Sequence, residues 1–211
     1  MLYYPLIIGV YGKKQSGKTT LFHHLKRLGG SINVDGPINV WSAPFAEPLK
    51  RIIIELLIPS DWDIRSATQL DDDEIKNMML PCGVTVRKAL QVVGTDWFRF
   101  LDPDIWVNRW VRDHVTGPSM RPIIRVVPDV RFPNEARVIT DLGGLLVKLT
   151  RDPIRTDDPT RNHASETALD QWPDAKFDIV LDNRDMSICE QEEATRTLFT
   201  PILQEYFYVS P

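Results

Sequence analysis

The chain has 211 residues, 43% of them hydrophobic and 26% charged, which are the proportions of a folded globular protein. They exclude a largely disordered, collagen-like or mucin-like chain, and a net charge of −4 argues against a protein that coats polyanions with its whole surface. The two cysteines, Cys82 and Cys189, form no CxxC pattern, so a disulfide framework is not expected and a reducing cytoplasm fits better.

The apolar run Leu6-Ile7-Ile8-Gly9-Val10-Tyr11 predicts a strand buried on both faces. Gly17 to Leu28 predicts a helix, stopped by Gly29-Gly30. Ile38 to Trp41 predicts a short second strand. A helix follows over Phe45 to Leu57, with Leu49, Ile52, Ile53, Leu56 and Leu57 on one face. Residues 58–83 are the least regular part, and their acidic run Asp71-Asp72-Asp73-Glu74 reads as a solvated face. Helices are expected over Val84 to Val93 and Pro103 to Val115. Ile123 to Val127 predicts the third strand, Pro133 to Leu142 a helix closed by Gly143-Gly144, and Leu145 to Leu149 the fourth strand. Ile179 to Leu181 completes the strands, and a last helix is expected over Met186 to Leu198.

Strands alternating with helices predict an α/β fold with a mainly parallel five-stranded sheet between two helical layers. Ligands of such sheets sit beyond the carboxyl ends of the strands. The longest apolar stretch, Ile52 to Ile58, is broken by Glu55 and falls well short of the roughly 18 residues of a membrane span. The N-terminus lacks the basic region and small-residue cleavage site of a secretory leader. No membrane association is expected.

Gly12-Lys13-Lys14-Gln15-Ser16-Gly17-Lys18-Thr19 matches G-x-x-x-x-G-K-[ST] at every fixed position, between the first strand and the first helix. Glycines let the backbone wrap around phosphates, so that successive N–H groups and the helix N-terminus converge on the anion. Gly12 to Thr20 is therefore the expected ATP site. Lys18 would reach the β and γ phosphates, and the Thr19 hydroxyl would hold Mg²⁺. Such a site usually takes a second Mg²⁺ partner from a neighbouring strand. Asp129 fits, although Pro133 and Glu135 also allow it to be a plain acid at a helix N-terminus. Pro128 lacks an N–H, so the ladder of the third strand should end at Val127.

Arginines occur in segments expected to face the cleft: Arg87, Arg99, Arg131, Arg151, Arg155 and Arg161. Phosphoryl transfer concentrates negative charge, which arginine forks bind bidentately. Singly, Arg155 and Arg161 read better as surface ion pairs. The segment Arg151 to Glu166 is expected to be a lid that excludes water.

The chain resembles the bacteriophage deoxynucleoside monophosphate kinases, relatives of the adenylate-kinase-like P-loop fold. The motifs that carry the likeness are Gly12 to Thr19, Val86 to Asp96, Asp104-Ile105-Trp106-Val107, Val127 to Glu135, His163-Ala164-Ser165-Glu166 and Asp182-Asn183. The resemblance implies phosphorylation of a deoxynucleoside 5′-monophosphate by ATP with Mg²⁺, in support of viral DNA synthesis. It implies one P-loop kinase domain over 1–211, with a helical acceptor-binding insert at about 45–118 and the lid at about 151–166. It further implies catalytic roles for Lys18, Arg131 and Arg151, and acceptor binding by Lys14, Arg87, Gln91, Gly94, Trp106, Asp129, Arg131 and Glu135. Trp106 would stack on a base, or pack in the core; Gly94 would admit a close approach, or cap a helix. Glu135 would orient a sugar hydroxyl or hold Arg131, and His163 reads as a hydrogen-bonding loop residue. Arg65 has no firm place in the pattern. Relatives of this kind imply a homodimer, for which no interface stripe is legible; with no broad basic stripe for DNA, no direct nucleic-acid partner is expected. The competing readings are another small-molecule P-loop kinase and a P-loop NTPase acting as a switch or in DNA packaging.

Overall fold

A computed structural model describes residues 2–115, 117–152 and 163–209. The chain divides into two compact units, Met1–Pro44 with Thr116–Pro211, and Phe45–Val115.

The first unit is built on a five-stranded, wholly parallel sheet of order β2-β3-β1-β4-β5. Its strands are β1 (Leu6–Tyr11), β2 (Asn39–Ser42), β3 (Ile123–Val127), β4 (Leu145–Leu149) and β5 (Ile179–Leu181). Every residue of the central strand β1 is buried, as the unbroken apolar run requires. Side chains alternate along β1. Leu6, Ile8 and Val10 join a core with Leu21, Leu25 and Leu28 of helix α1 (Lys18–Ser31) and with Phe199, Leu203 and Phe207 near the C-terminus. On the opposite face Gly9 lies so near Ile139 that a Cβ there would stand 2.4 Å from its Cδ1. Helices thus cover both faces. The order of connection reverses at β1, which places the end of that strand where α/β sheets bind ligands.

Helix α1 runs through Gly29 and Gly30 rather than stopping at them. A Cβ on Gly29 would come within 2.7 Å of Val40 and 3.0 Å of the Ile38 carbonyl, so this glycine lets the helix lie close to β2.

The second unit holds helices α2 (Glu47–Leu57), α3 (Asp73–Asn77), α4 (Val86–Gln91), α5 (Arg99–Leu101) and α6 (Ile105–His114). A π-helical segment, Val92–Phe98, links α4 to α5. Leu49, Ile53, Ile64, Leu70, Leu80, Val86, Ala89 and Trp106 form its core. Residues 58–83 contain two 3-10 turns, Ser60–Trp62 and Ala67–Asp71, besides α3. The acidic run is more than a solvated face. Asp71 takes the ammonium of the buried Lys50 at 2.6 Å, Asp73 takes Arg87 at 2.7 Å, and Asp72 caps α3 through the Glu74 N–H.

The first unit resumes with α7 (Pro133–Asp141), α8 (Ala164–Thr167) and α9 (Ile188–Val209). The last helix passes the expected end at Leu198 and continues through Pro201. Proline inside a helix costs about 3 kcal/mol. Here Phe199, Leu203 and Phe207 bury one face of that region in the core and offset the lost hydrogen bond. Cys82 and Cys189, one in each unit, are both exposed thiols.

Candidate active site

The buried strand β1 ends at Tyr11 and the chain enters a tight loop. Gln15 (φ 61°) and Gly17 (φ 97°) both adopt left-handed backbone, and the Ser16 N–H donates to the Lys13 carbonyl at 3.1 Å. A Cβ on Gly12 would stand 2.4 Å from the Ser16 hydroxyl, so the first glycine of the motif is required sterically. Among the described residues no side chain caps α1 at Gly17, leaving the amides of the first turn to another partner. Ser16 Oγ is fully buried and has no hydrogen-bond partner among the described residues. Lys18 folds back over the loop and donates to the carbonyls of Gly12 (2.6 Å) and Lys13 (2.7 Å). Uncapped amides, an orphaned hydroxyl and an ammonium held at the loop rim fit a polyphosphate. Thr19 is exposed on the first turn, and Asp129 stands two residues past Val127, the β3 residue paired with Gly9 of β1. A hydroxyl and a carboxylate are the hard oxygen donors that Mg²⁺ takes alongside phosphate oxygens. Among the described residues no three His, Cys, Asp or Glu side chains form a group that could hold a metal ion.

The loop is held from behind by residues far away in sequence. Asn183 is fully buried, and its Nδ2 donates to the Ser16 carbonyl at 2.7 Å while its Oδ1 accepts from the Arg151 N–H at 2.9 Å. These two partners fix which end of the amide points where. Gln191, on the inner face of α9, donates to the Gly17 carbonyl at 3.4 Å. Arg151 is expected at the transferred phosphate. In the structure its guanidinium donates to the carbonyls of Asn183 (3.0 Å) and Met186, clamping the end of β4 to the connection after β5. Beside it, Arg184 and Thr150 hydrogen-bond the exposed Asp182 and hold its carboxyl well below the usual range.

The β3 ladder ends at Val127, and the following turn is organised by Glu135. This carboxylate is only 3% exposed and accepts the N–H groups of Arg131 (2.7 Å) and Phe132 (3.0 Å), closing the start of α7 after Pro133. These bonds tie the Glu135 carboxylate to the backbone of Arg131 and Phe132. The Arg131 Nη1 donates to the Ser165 carbonyl at 3.1 Å and to the Glu166 carboxylate. Loss of water disfavours the charge of Arg131, but Glu166, Asp129 and Glu135 outweigh that and raise its pKa. Lys13 donates to the Glu166 carbonyl at 2.7 Å and to Asp170, which also accepts the Tyr11 hydroxyl at 2.7 Å. Burial first, and then this hydrogen bond, push the Tyr11 phenol well above its ordinary value. His163 caps α8 through the Ser165 N–H, the bonding role its sequence suggested.

The structure therefore brings Gly12–Thr20, Asp129, Arg131, Glu135 and Arg151 into the first unit, beyond the carboxyl ends of the strands. Lys14 is half-buried on the loop and Gln15 exposed. Arg87, Gln91, Gly94 and Trp106 belong to the second unit. There Trp106, 6% exposed, packs edge-on against Phe98 and donates its indole N–H to the Gly94 carbonyl at 2.9 Å. A Cβ on Gly94 would meet Leu49 Cδ2 at 2.4 Å. In this structure Trp106 packs in the core of its unit, and Gly94 lies inside the π-helical segment against Leu49 rather than capping a helix. Arg155, Arg161 and most of the expected lid lie outside the described residues. Sequence reasoning gave no role to Asn183, Gln191 or Asp170; only the Asp182-Asn183 pair directly after a strand signalled the first of them.

A parallel sheet of this order, with its central strand running into G-x-x-x-x-G-K-[ST] and a helix, defines a P-loop protein of the three-layer α/β/α kinase type. No family model matches the chain. It is 36% identical over 189 residues, covering 84% of the chain and 88% of the relative, to a protein of Acanthamoeba polyphaga mimivirus named "Putative deoxynucleotide monophosphate kinase". A shorter match, 36% over 88 residues, covers 42% of the chain and 38% of "Uncharacterized protein ORF77" of Ictalurid herpesvirus 1. The chain belongs to the family of the mimivirus protein, a family of nucleotide kinases.

Proposed function

We propose that the protein transfers the γ-phosphoryl group of ATP to a deoxynucleoside 5′-monophosphate, yielding ADP and the diphosphate that viral DNA synthesis consumes. One observation carries this reading. Beyond the carboxyl ends of the adjacent strands β1 and β3 stand a phosphate loop with its lysine and a charged arginine, Arg131. Lys18 and the loop amides bind the β and γ phosphates of the donor. Arg131 clamps the acceptor phosphate, with Lys14 projecting toward it, and Arg151 acts by fixing the frame of the loop. An acceptor oxygen attacks the γ phosphorus while the bond from that phosphorus to the β–γ bridging oxygen breaks. The attacking oxygen is already anionic, so positioning and charge stabilisation supply most of the catalysis. Mg²⁺, taken by Thr19 and Asp129 together with the donor phosphates, would neutralise charge on the triphosphate. Residues 45–118, with Arg87 and Gln91, are read as the acceptor-binding insert. The reaction belongs to the cytoplasm, with a homodimer as the expected state.

Among the described residues no helix is long and apolar enough to cross a membrane. An ADP-release assay with ATP and a panel of deoxy- and ribonucleoside monophosphates tests the proposal. Diphosphate formation from a deoxynucleoside monophosphate is expected. Hydrolysis of ATP that ignores the acceptor, with no diphosphate formed, would overturn it in favour of an NTPase switch.

A further inference from the structure

Two cations at the proposed reaction centre are tied to one residue. Glu166 offers its carbonyl to Lys13 of the phosphate loop, and its carboxylate to Arg131 beyond β3. Its neighbour Ser165 adds a second carbonyl to the same Nη1 of Arg131. One turn later Asp170 takes Lys13 as well and joins it to Tyr11 at the end of β1. Residues 163–170 therefore bridge the loop that holds the donor to the arginine that meets the acceptor.

The bonding pattern on Arg131 has a direction. Both contacts use Nη1, while Nε and Nη2 bond nothing among the described residues. A guanidinium held by one corner presents its remaining N–H pair as a fork, the geometry that takes two phosphate oxygens at once. Rotation about the last side-chain bonds would lose that orientation, and the carboxylate opposes it with a charge-assisted bond.

Resting on the assignment of Arg131 to the acceptor phosphate, we propose that Glu166 is a positioning residue. It holds Arg131 so that the open N–H pair faces the acceptor phosphate, in fixed register with the donor loop. Glu166 itself touches neither substrate.

Steady-state kinetics of the full chain test this, with ATP and whichever deoxynucleoside monophosphate the wild type uses. Glu166→Gln should raise the acceptor KM about tenfold or more, the scale of one lost charge-assisted hydrogen bond, and should raise the ATP KM by less. Glu166→Asp, which keeps the charge, should restore part of that loss. Placed in an Arg131→Ala background, Glu166→Gln should change nothing further, because its effect passes through the missing guanidinium. Thermal melting checks that each variant is folded, and Glu166→Asp carries the test should Glu166→Gln not fold. The proposal is overturned if Glu166→Gln leaves the acceptor KM at the wild-type value, or if its effect and that of Arg131→Ala multiply. If Arg131→Ala alone leaves the acceptor KM unchanged, the underlying assignment of Arg131 falls, and the role of Glu166 with it.

Discussion

Replacing Asn183 by alanine strips two buried hydrogen bonds from the back of the phosphate loop. The Ser16 carbonyl loses its donor at 2.7 Å, and the Arg151 N–H loses its acceptor at 2.9 Å. The site is fully buried, so the residual groups have poor access to solvent. An orphaned buried polar group costs about 1–3 kcal/mol, which gives roughly 2–5 kcal/mol for the pair after some relaxation. For a chain of this size that is a fall in melting temperature on the order of 10 °C. Asn183→Asp is the sharper perturbation. It keeps an acceptor for Arg151 but, when ionised, sets a second oxygen against the Ser16 carbonyl. Near neutral pH it should melt below Asn183→Ala, because a buried carboxylate facing a carbonyl is worse than an absent donor. Calorimetry on the three proteins reads both effects, and ATP titration should show weakened binding in each variant, since the loop shape depends on the Ser16 carbonyl. Melting of Asn183→Ala within a degree of wild type, or equal melting of the two variants, would refute the view that this amide braces the loop.

Lys18→Ala should reduce turnover by about 10²–10³-fold, the usual scale for losing one pre-aimed group that meets developing charge, and leave the circular dichroism spectrum unchanged. Near-normal turnover would remove Lys18 from the reaction. Gly94→Ala should destabilise the protein by about 1–3 kcal/mol through overpacking against Leu49, and the double variant Gly94→Ala/Leu49→Ala should lose less than the sum of the two singles in denaturant titrations. His24 is 2% exposed, with neither ring nitrogen hydrogen-bonded among the described residues, and burial lowers its pKa against the opposing pull of Glu192 at 3.8 Å and with the aid of Arg27 and His23. As pH falls below about 6.5, the unfolded chain takes up the proton before the folded one does, so stability declines until the lower folded pKa is passed. His24→Leu should flatten that part of the profile between pH 7 and 5; an identical slope in both proteins would contradict the sign.

The strands were legible because a sheet covered on both faces leaves a plain mark, short apolar runs, two of which, β1 and β3, stop at a glycine or a proline. The phosphate loop was legible for a similar reason, since its backbone shape depends on residue types within eight positions. What failed locally depended on something distant. Gly29-Gly30 reads as a helix stop until β2 is seen lying against Gly29. Pro201 reads as a breaker until the burial of its neighbours on α9 is known. The acidic run at 71–74 reads as solvated because its partners Lys50 and Arg87 sit on other helices. The site divides in the same way. Loop residues announce themselves, whereas Asn183, Gln191 and Asp170 act across separations of more than 150 residues that no local pattern encodes. Trp106 and Gly94 show the converse, since a motif tells that two residues matter without telling that they hydrogen-bond each other.

The two exposed thiols offer a practical opening. Each compact unit carries a single cysteine, Cys82 in one and Cys189 at the start of α9 in the other. A donor and an acceptor dye can therefore be attached to the natural sequence without engineering new attachment points. Energy transfer between them would follow the separation of the units as nucleotides are added, so the protein arrives with its own ruler.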